Sequence, residues 1–316
     1  MKVEIVDKGL FSLIVDNGRV GRQRYGFSQS GPMDEDAFSW ANFLAFNLDN
    51  TPCIEAMGTL TARFSSHCII AVTGRAVKVT INGHEQPSYE SICVTAGDEI
   101  TFGSEYMGSK AYLAICGSWD TPLFANSACT VTRESLGGLH GNGSALANGD
   151  SFNVNENTLS KVKSATVRTL AFEKRFNYSL EAPIRLIPGY QFEQFSGVAQ
   201  CIFVTSDYTV TSSIDRMGYR LQGPDVACSH NKLRSEAVHI GAVQVPPDGQ
   251  PIVMMRDRQT LGGYPKLGCV NPLDINRLAQ AVPGEKVSFT YQNHEAARAD
   301  NLLSLCRRRQ LQGELL

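Results

Sequence analysis

Hydrophobic residues recur along this chain in short runs that glycine, asparagine and aspartate separate. Some runs are continuous and others alternate with polar residues, as in strands that pack on one or both faces. Four of these runs are CIIAVTG (68–74), AVKVTING (76–83), SICVTAGDEITFG (91–103) and AYLAICG (111–117). Many short strands joined by turn residues are typical of a β-barrel or a β-sandwich. The pattern therefore predicts a mainly β protein.

Helical spacing of apolar residues is found in few segments. Residues 34–46 place Ala37, Ala41 and Leu44 on one helix face and carry acidic residues in the first turn. Residues 272–280 begin with a proline, which suits the first position of a helix, and residues 294–312 are rich in helix formers. We predict three helices in these places.

Weak internal repeats predict two copies of one domain. Asp34 follows Met33 as Asp215 follows Ile214, and Glu55-Ala56 is matched by Glu236-Ala237 at the same spacing. A third pair, AGDEITF (96–102) and PGEKVSF (283–289), has a slightly larger spacing. We predict β-barrel domains at residues 1–160 and 161–316, with Asp34 and Asp215 in equivalent places. The polar segment NENTLSKVKS (155–164) is the predicted linker.

Composition narrows the class of protein. Hydrophobic residues make up 42% of the 316, and the formal net charge of −2 favours neither nucleic acid nor an anionic membrane as a partner. No apolar run approaches the roughly 18 residues of a membrane span. The nine scattered cysteines are typical of reduced thiols in a reducing compartment, so we expect a cytoplasmic protein. No histidine or cysteine spacing indicates a metal site.

Two polar segments are the candidates for a functional site. RDRQTLGGYPK (256–266) follows a short apolar run, and SIDRMGYR (213–220) lies upstream of it. Gly262 and Gly263 allow the backbone to approach a ligand closely. Between the segments, VQV (243–245) alternates as a strand does, and PPDGQP (246–251) has the residues of a tight turn. We expect both segments to flank this strand pair.

The residue types in these segments suit an anionic substrate. Arginine donates two parallel hydrogen bonds to a carboxylate or a phosphate, and Lys266 can balance transferred negative charge. Asp215 or Asp257 can accept a proton or orient an amide nitrogen. We predict convergence on one concave surface of the C-terminal domain, with Asp215, Asp257 and Lys266 as catalytic residues and Arg216, Tyr219, Arg220, Gln244, Arg258, Gln259 and Thr260 as substrate-binding residues. Structural ion pairs among the same side chains are the alternative.

Four longer motifs carry a family resemblance. They are GRxG (Gly18, Arg19 and Gly21), SGPMD (30–34), SIDRMGYRL (213–221) and QVPPDGQPIVMMRDRQTLGGYPK (244–266). In this order they resemble the family of the 5-oxoprolinase C subunit, also called allophanate hydrolase subunit 2-like or biotin-dependent carboxyltransferase-like. The chain departs from the family pattern at Val15, where a polar residue is usual, and at Asn142, where an arginine is usual. The resemblance implies two tandem cyclophilin-like β-barrel domains.

The resemblance also implies an activity and partners. It points to one subunit of an ATP-dependent 5-oxoprolinase, which opens the lactam of 5-oxoproline to glutamate. The implied partners are the B subunit of that enzyme, which resembles allophanate hydrolase subunit 1, and its A subunit. Two alternatives stay open. One is a carboxyltransferase that moves a carboxyl group from carboxybiotin to an amide nitrogen, with biotin on another chain. The other is a non-catalytic regulator of a kinase inhibitor. The chain shows no nucleotide-binding motif, so ATP is expected only in the complex.

Overall fold

The chain forms two compact units. The computed structural model describes residues 1–155, 167–228 and 233–316. The first unit comprises Met1–Val20, Ser30–Asn177 and Glu314–Leu316, and the second comprises Gly21–Gln29 and Tyr178–Gly313. The predicted domain boundary after residue 160 lies outside the described residues, as does the predicted linker except for Asn155, which ends a strand.

The strands of the first unit are short and mostly antiparallel. They are β1 Lys2–Asp7, β2 Phe11–Val15, β3 Cys53–Met57, β4 Leu60–Phe64, β5 Cys68–Gly74, β6 Val77–Ile81, β7 His84–Gln86, β8 Ile92–Val94, β9 Glu99–Ser104, β10 Lys110–Ile115, β11 Ser118–Trp119 and β12 Ser151–Asn155. They form a seven-stranded sheet, β11-β12-β1-β4-β9-β6-β7, and a five-stranded sheet, β2-β3-β10-β5-β8. Side chains such as Ile54, Phe64, Val72 and Leu113 build one continuous core from strands of both sheets.

The second unit is built on one sheet that nearly closes into a barrel. Its strands are β13 Ile184–Pro188, β14 Tyr208–Ile214, β15 Gly218–Gln222, β16 Glu236–Ala237, β17 Ala242–Gln244, β18 Ile252–Met254, β19 Leu261–Gly262, β20 Lys266–Val270, β21 Lys286–Val287 and β22 Phe289–Tyr291. Eight of them follow the order β21-β14-β15-β18-β17-β20-β13-β22. The two end strands, β21 and β22, are separated in sequence only by Ser288, so the sheet curls into a barrel. The mainly β, barrel-type fold predicted from the sequence is confirmed.

The three predicted helices are confirmed, and a further helix was missed. The described α-helices are α1 Glu35–Leu44, α2 Gly197–Thr205, α3 Pro272–Ala279 and α4 His294–Glu314. Helix α1 begins after Asp34, whose carboxylate accepts hydrogen bonds from the backbone N–H groups of Asp36 and Ala37. Helix α2, GVAQCIFVT, is apolar and β-branched, so its composition is that of a strand. Only Ser196, which caps it, marks a helix start.

The predicted equivalence of Asp34 and Asp215 is wrong. Asp34 caps a helix, whereas Asp215 lies in the turn between β14 and β15, where its Oδ1 accepts from the N–H groups of Met217 and Gly218. The short aspartate side chain stabilises both kinds of chain reversal by accepting from nearby backbone N–H groups. The two aspartates therefore resemble each other in sequence because they have the same local chemistry, although they belong to unrelated elements.

The third internal repeat, between residues 96–102 and 283–289, corresponds to a turn of the same geometry in both units. Gly97 and Gly284 both adopt a positive φ, 91° and 94°. Their N–H groups donate over 2.8 Å to a neighbouring strand, Gly97 to the carbonyl of Phe64 and Gly284 to that of Val210. Glycine is favoured here because a left-handed backbone conformation is strained for residues with a Cβ. The two segments therefore share the backbone geometry of their turns.

The structure also shows the state of the cysteines and the character of the helices. All nine cysteines fall within described residues and are thiols rather than disulfide partners, as expected. Among the described residues, no helix combines the length and the apolarity that crossing a membrane would require.

Candidate functional site

The candidate site is built on the strands around the second polar segment. Strands β17 and β18 pair through the tight turn predicted for residues 246–251, in which the N–H of Gly249 donates to the carbonyl of Pro246 over 3.0 Å. The chain then runs through residues 255–260 to β19, which pairs with β16 and sets Gly262 opposite Glu236. Strand β17 also pairs with β20, which sets Gln244 opposite Lys266. These pairings bring the side chains together.

Gly262 lies at the centre of this arrangement. A Cβ added to it would lie 2.7 Å from Nε2 of Gln244 and 3.5 Å from Nε2 of Gln259. Gln244 is 1% exposed, and its Nε2 has no hydrogen-bond partner within the described part of the chain. A buried amide donor without an acceptor costs about 1–3 kcal/mol, so such groups call for an explanation. We name the surrounding side chains the Gly262 cluster: Gln191, Glu236, Gln244, Arg258, Gln259 and Lys266.

Lys266 is held by two polar neighbours. Its Nζ lies 3.3 Å from a carboxylate oxygen of Glu236, and its side chain is only 11% exposed. The same oxygen of Glu236 accepts a hydrogen bond from Gln191, whose own carbonyl oxygen accepts from the Lys266 N–H over 2.8 Å. The ammonium group is therefore fixed in place and partly neutralised.

Arg258 is a buried cation held by backbone carbonyls. It is 6% exposed, its Nε donates to the carbonyl of Val238 over 2.9 Å, and its Nη1 donates to that of Met255 over 3.2 Å. Nη1 also lies 3.5 Å from the carbonyl of Arg256, and none of the described hydrogen bonds of Arg258 goes to a carboxylate or comes from Nη2, although the charge of Asp257 acts favourably on the guanidinium. Burial, and secondly the charge of Arg256, lower the pKa of Arg258 to about 10, so the side chain stays charged at neutral pH.

The positive charges of Arg258 and Lys266 both act on one residue, Cys269. The thiol of Cys269, on β20, has its pKa raised by burial, while the positive charges of Arg258 and of Lys266 both oppose that rise. Ser28 fixes the loop that carries Arg258, because its hydroxyl donates to the Arg258 carbonyl over 2.9 Å. The arrangement suits an anionic ligand, since it offers two fixed cations and a buried amide donor.

Asp257 and Arg216 form a buried ion pair. Nε of Arg216 lies 2.7 Å from Oδ2 of Asp257, and Nη2 lies 3.1 Å from Oδ1. Both residues are less than a tenth exposed, and the Asp257 N–H donates to the Arg216 carbonyl over 2.7 Å. This contact matches the alternative of a structural ion pair, because the Asp257 carboxylate that was predicted to be catalytic is already paired with an arginine.

The predicted convergence is wrong for Tyr219 and Arg220. Tyr219 is fully buried in the barrel core, where its hydroxyl donates to the carbonyl of Ala279 over 3.1 Å. Arg220, next along β15, pairs with Asp248 in the turn before β18. Successive side chains of a strand point to opposite faces, so the two residues could not converge on one surface.

Asp215 and Thr260 also have structural contacts. The Asp215 carboxylate accepts from two backbone N–H groups of its turn, and the Thr260 carbonyl accepts from the N–H of Val238 over 3.0 Å. Of the predicted residues, the structure therefore gathers Gln244, Arg258, Gln259 and Lys266 around Gly262.

Replacing Tyr219 by phenylalanine tests this correction. We expect a loss of about 1 kcal/mol in the free energy of unfolding, because one buried hydrogen bond to Ala279 is removed. Catalytic rates of the assembled complex should not change. Urea unfolding and steady-state kinetics of the same preparation measure both effects. A large loss of rate at unchanged stability would restore Tyr219 as a substrate-binding residue.

Sequence reasoning missed Gln191, Glu236 and Ser28. Gln191 precedes a short 3-10 helix, and Ser28 comes from the segment before SGPMD. Glu236 was noted only as part of a repeat. Each lies far along the chain from Lys266 or Arg258, and no local spacing connects them. Strand pairing brings Glu236 to the site, and tertiary hydrogen bonds hold Gln191 and Ser28 there.

Known proteins share this fold and sequence pattern. Residues 25–291 match the family described as carboxyltransferase domain, subdomain A and B, which defines the class of this protein. The chain is 31% identical over 297 residues to the 5-oxoprolinase C subunit of Escherichia coli, covering 93% of each chain. It is 32% identical over 291 residues to the 5-oxoprolinase C subunit of Haemophilus influenzae, covering 91% of this chain and 90% of the relative. The chain belongs to the family of the 5-oxoprolinase C subunit.

A solved structure shows the same fold within a longer protein. The urea carboxylase of Kluyveromyces lactis superposes with a TM-score of 0.86 at 24% identity, over 98% of this chain. This chain spans 29% of the length of that protein. At this level of identity the likeness concerns the fold alone.

Proposed function

We propose that this chain is the carboxyltransferase-like component of an ATP-dependent 5-oxoprolinase complex and that the Gly262 cluster binds its substrate. Two relatives named as the C subunit of 5-oxoprolinase, each matched over at least nine-tenths of its length, support the class of function. The observation that carries the site is Arg258. It is a buried guanidinium whose described hydrogen bonds, from Nε and Nη1, all go to backbone carbonyl oxygens.

The chemistry of 5-oxoproline matches these groups. The molecule has a carboxylate and a five-membered lactam. In the proposed pose the carboxylate accepts from Nη2 of Arg258 and lies near the ammonium of Lys266, which completes a charge-assisted contact. The lactam carbonyl oxygen accepts from Nε2 of Gln244, which supplies the missing acceptor of that buried donor. The bare backbone at Gly262 allows the ring to approach.

Lactam opening breaks a stable amide bond, and water must add to the carbonyl carbon. ATP supplies a phosphoryl group that makes this carbon more electrophilic. The part of this chain is to position the substrate and to stabilise negative charge at the lactam oxygen through Gln244. We assign no ATP-binding residues to this chain and propose that the two kinds of partner subunit complete the catalytic machinery.

The alternative of carboxyl transfer is favoured by the family description itself. In that reaction a carboxyl group leaves carboxybiotin and forms a bond to an amide nitrogen, and the same cations would hold the transferred carboxylate. The biotin would be on a partner chain. The regulator alternative is supported by the Arg216–Asp257 pair, which fills part of the predicted site with an internal contact. Arg258 favours an enzyme because its described hydrogen bonds go to carbonyl oxygens and not to a carboxylate.

Reconstitution of the complex tests the proposal. The chain is co-expressed with both partner subunits, and glutamate formation from 5-oxoproline is followed with and without ATP. We expect ATP-dependent turnover by the complex and none by the isolated chain. A parallel assay supplies bicarbonate, ATP and a biotinylated carrier in place of the hydrolysis conditions. Carboxylation of an amide without glutamate formation would replace the proposal with carboxyl transfer, and no turnover in either assay would favour the regulator.

A further inference from the structure

The two aspartates that the sequence predicted as proton acceptors are engaged in structural contacts. The Asp257 carboxylate pairs with Arg216, and the Asp215 carboxylate accepts from two backbone N–H groups of its turn. Lactam opening nevertheless needs a proton acceptor, because a water molecule must lose a proton as its oxygen bonds to the carbonyl carbon. Within the described part of the chain, the Gly262 cluster contains one carboxylate, that of Glu236.

Glu236 is held through one of its two carboxylate oxygens. Its Oε2 accepts a hydrogen bond from Nε2 of Gln191 over 3.0 Å and lies 3.3 Å from Nζ of Lys266. None of the described residues donates a hydrogen bond to Oε1. The side chain is 38% exposed, so water has access to it. The carboxylate is therefore fixed by one oxygen and open to a water molecule at the other.

The orientation of the Gln191 amide is determined by its partners. Its Oε1 accepts from the backbone N–H of Lys266 over 2.8 Å, and a backbone N–H group can only donate. Its Nε2 donates to Glu236, and an ionised carboxylate can only accept. The amide has one orientation that satisfies both contacts, and the residue is 2% exposed. Gln191 therefore fixes the position of Glu236 relative to β20.

Glu236 lies next to the place where we propose that the substrate binds. Strand β16 pairs with β19 and sets Glu236 opposite Gly262. In an antiparallel pair the Cα atoms of directly opposite residues lie about 4.5–5.5 Å apart. A Cβ added to Gly262 would lie 2.7 Å from Nε2 of Gln244, the proposed donor to the lactam oxygen. The carboxylate and this amide donor therefore both belong to the surroundings of Gly262.

Three neighbouring titratable side chains are less suited to accept a proton. Lys266 and Arg258 are cations and have no free lone pair to offer. Burial raises the pKa of the Cys269 thiol, so it keeps its proton at neutral pH. Among these side chains the Glu236 carboxylate is the natural proton acceptor.

We propose that Glu236 is a catalytic residue of this site and that its Oε1 accepts a proton from the attacking water molecule. This inference rests on the proposed function. The water oxygen forms a bond to the lactam carbonyl carbon while the proton passes to Oε1. The same proton then passes to the ring nitrogen, which takes the electron pair of the C–N bond as that bond breaks. The phosphoryl group that ATP supplies stays on the carbonyl oxygen as an acyl phosphate, and a second water molecule hydrolyses it to glutamate and phosphate.

Replacing Glu236 by glutamine tests the proton transfer separately from the contacts. The amide oxygen of a glutamine still accepts from Gln191 and Lys266, but the amide does not take up the proton of water. We expect the kcat of the reconstituted complex to fall about 10²–10⁴-fold, the usual contribution of a positioned acid–base group. The KM for 5-oxoproline should change little, because the substrate contacts remain.

The variant Glu236→Ala provides a second readout. It leaves space for a small carboxylate, so sodium formate added to the assay should raise its turnover about 10-fold or more by replacing the missing proton acceptor. Glu105→Ala is the matched control. Glu105 also pairs with a lysine, Lys78, over 2.7 Å, and its side chain is 51% exposed. Turnover of this control should equal that of the wild type with and without formate.

The outcomes separate this inference from the proposed function. If the wild-type complex forms no glutamate from 5-oxoproline, both proposals fail. If the wild type turns over and Glu236→Gln has a comparable kcat, the function stands and Glu236 is not the proton acceptor. If Glu236→Gln is active while Glu236→Ala is inactive and formate does not restore it, Glu236 only positions Lys266 and the inference is overturned. A thermal melt that falls in parallel with turnover in both variants would make Glu236 a structural residue.

Discussion

Replacing Arg258 by methionine is expected to reduce the kcat/KM of the assembled complex about 10–100-fold, because a charge-assisted hydrogen bond to the substrate carboxylate, worth about 1.5–3 kcal/mol, is lost. Methionine keeps much of the side-chain volume and removes every donor. The effect on stability should be small, about 1 kcal/mol. The lost hydrogen bonds to the carbonyls of Val238 and Met255 are partly offset by relief of the repulsion between Arg258 and Arg256.

Arg220→Met is the matched control for this variant. It makes the same chemical change at an arginine that pairs with Asp248 on the surface, so neither turnover nor stability should change appreciably. Initial rates of ATP-dependent glutamate formation and a thermal melt of each variant distinguish a binding role of Arg258 from a structural one. Unchanged turnover in Arg258→Met would remove Arg258 from the site. A parallel collapse of stability and turnover would make it a structural residue.

The second large effect is expected at Asp257. Replacing it by alanine removes the carboxylate that pairs with the buried guanidinium of Arg216, and breaking a buried ion pair from one side costs about 3–5 kcal/mol. Unfolding in urea measures the loss. The charge of Asp257 also acts on Arg258, so its removal leaves the repulsion between Arg256 and Arg258 less compensated.

Two controls separate a structural Asp257 from the catalytic one that the sequence predicted. Asp248→Ala breaks an exposed pair and should cost less than about 1 kcal/mol. The double variant Arg216→Met/Asp257→Leu removes both charges of the pair and should recover much of the lost stability, since neither buried charge remains. If Asp257→Ala keeps its stability yet loses turnover in the complex, Asp257 is catalytic and the structural interpretation is wrong.

Local signals account for the elements that were predicted correctly. Asp34 begins α1 through hydrogen bonds within four residues, and Pro272 begins α3 with a fixed φ. The turn at residues 246–251 depends on residues that stand next to one another. Helix α2 shows the limit of such reasoning, because its apolar, β-branched composition favours a strand, and its packing within the second unit decides otherwise.

The candidate site was predictable only in part. Charge density and the glycine pair pointed to Gln244, Arg258, Gln259 and Lys266, which the structure places near one strand pair, and their role in binding stays a prediction. The sequence could not show that Tyr219 differs from these residues, because nothing in the segment SIDRMGYR indicates which face of β15 points into the core. Its membership of the core depends on strands far away in sequence.

The sequence by itself determined the family, the mainly β class and the segment that carries the candidate site, because these depend on residue order, alternation and local turn chemistry. Only the tertiary structure decided which charges are paired. Arg216 and Arg258 have the same chemistry and flank the same strands, yet one faces a carboxylate and the other faces backbone carbonyls. Strand register and barrel closure set that difference, and they depend on long-range pairings that the linear order of residues does not display.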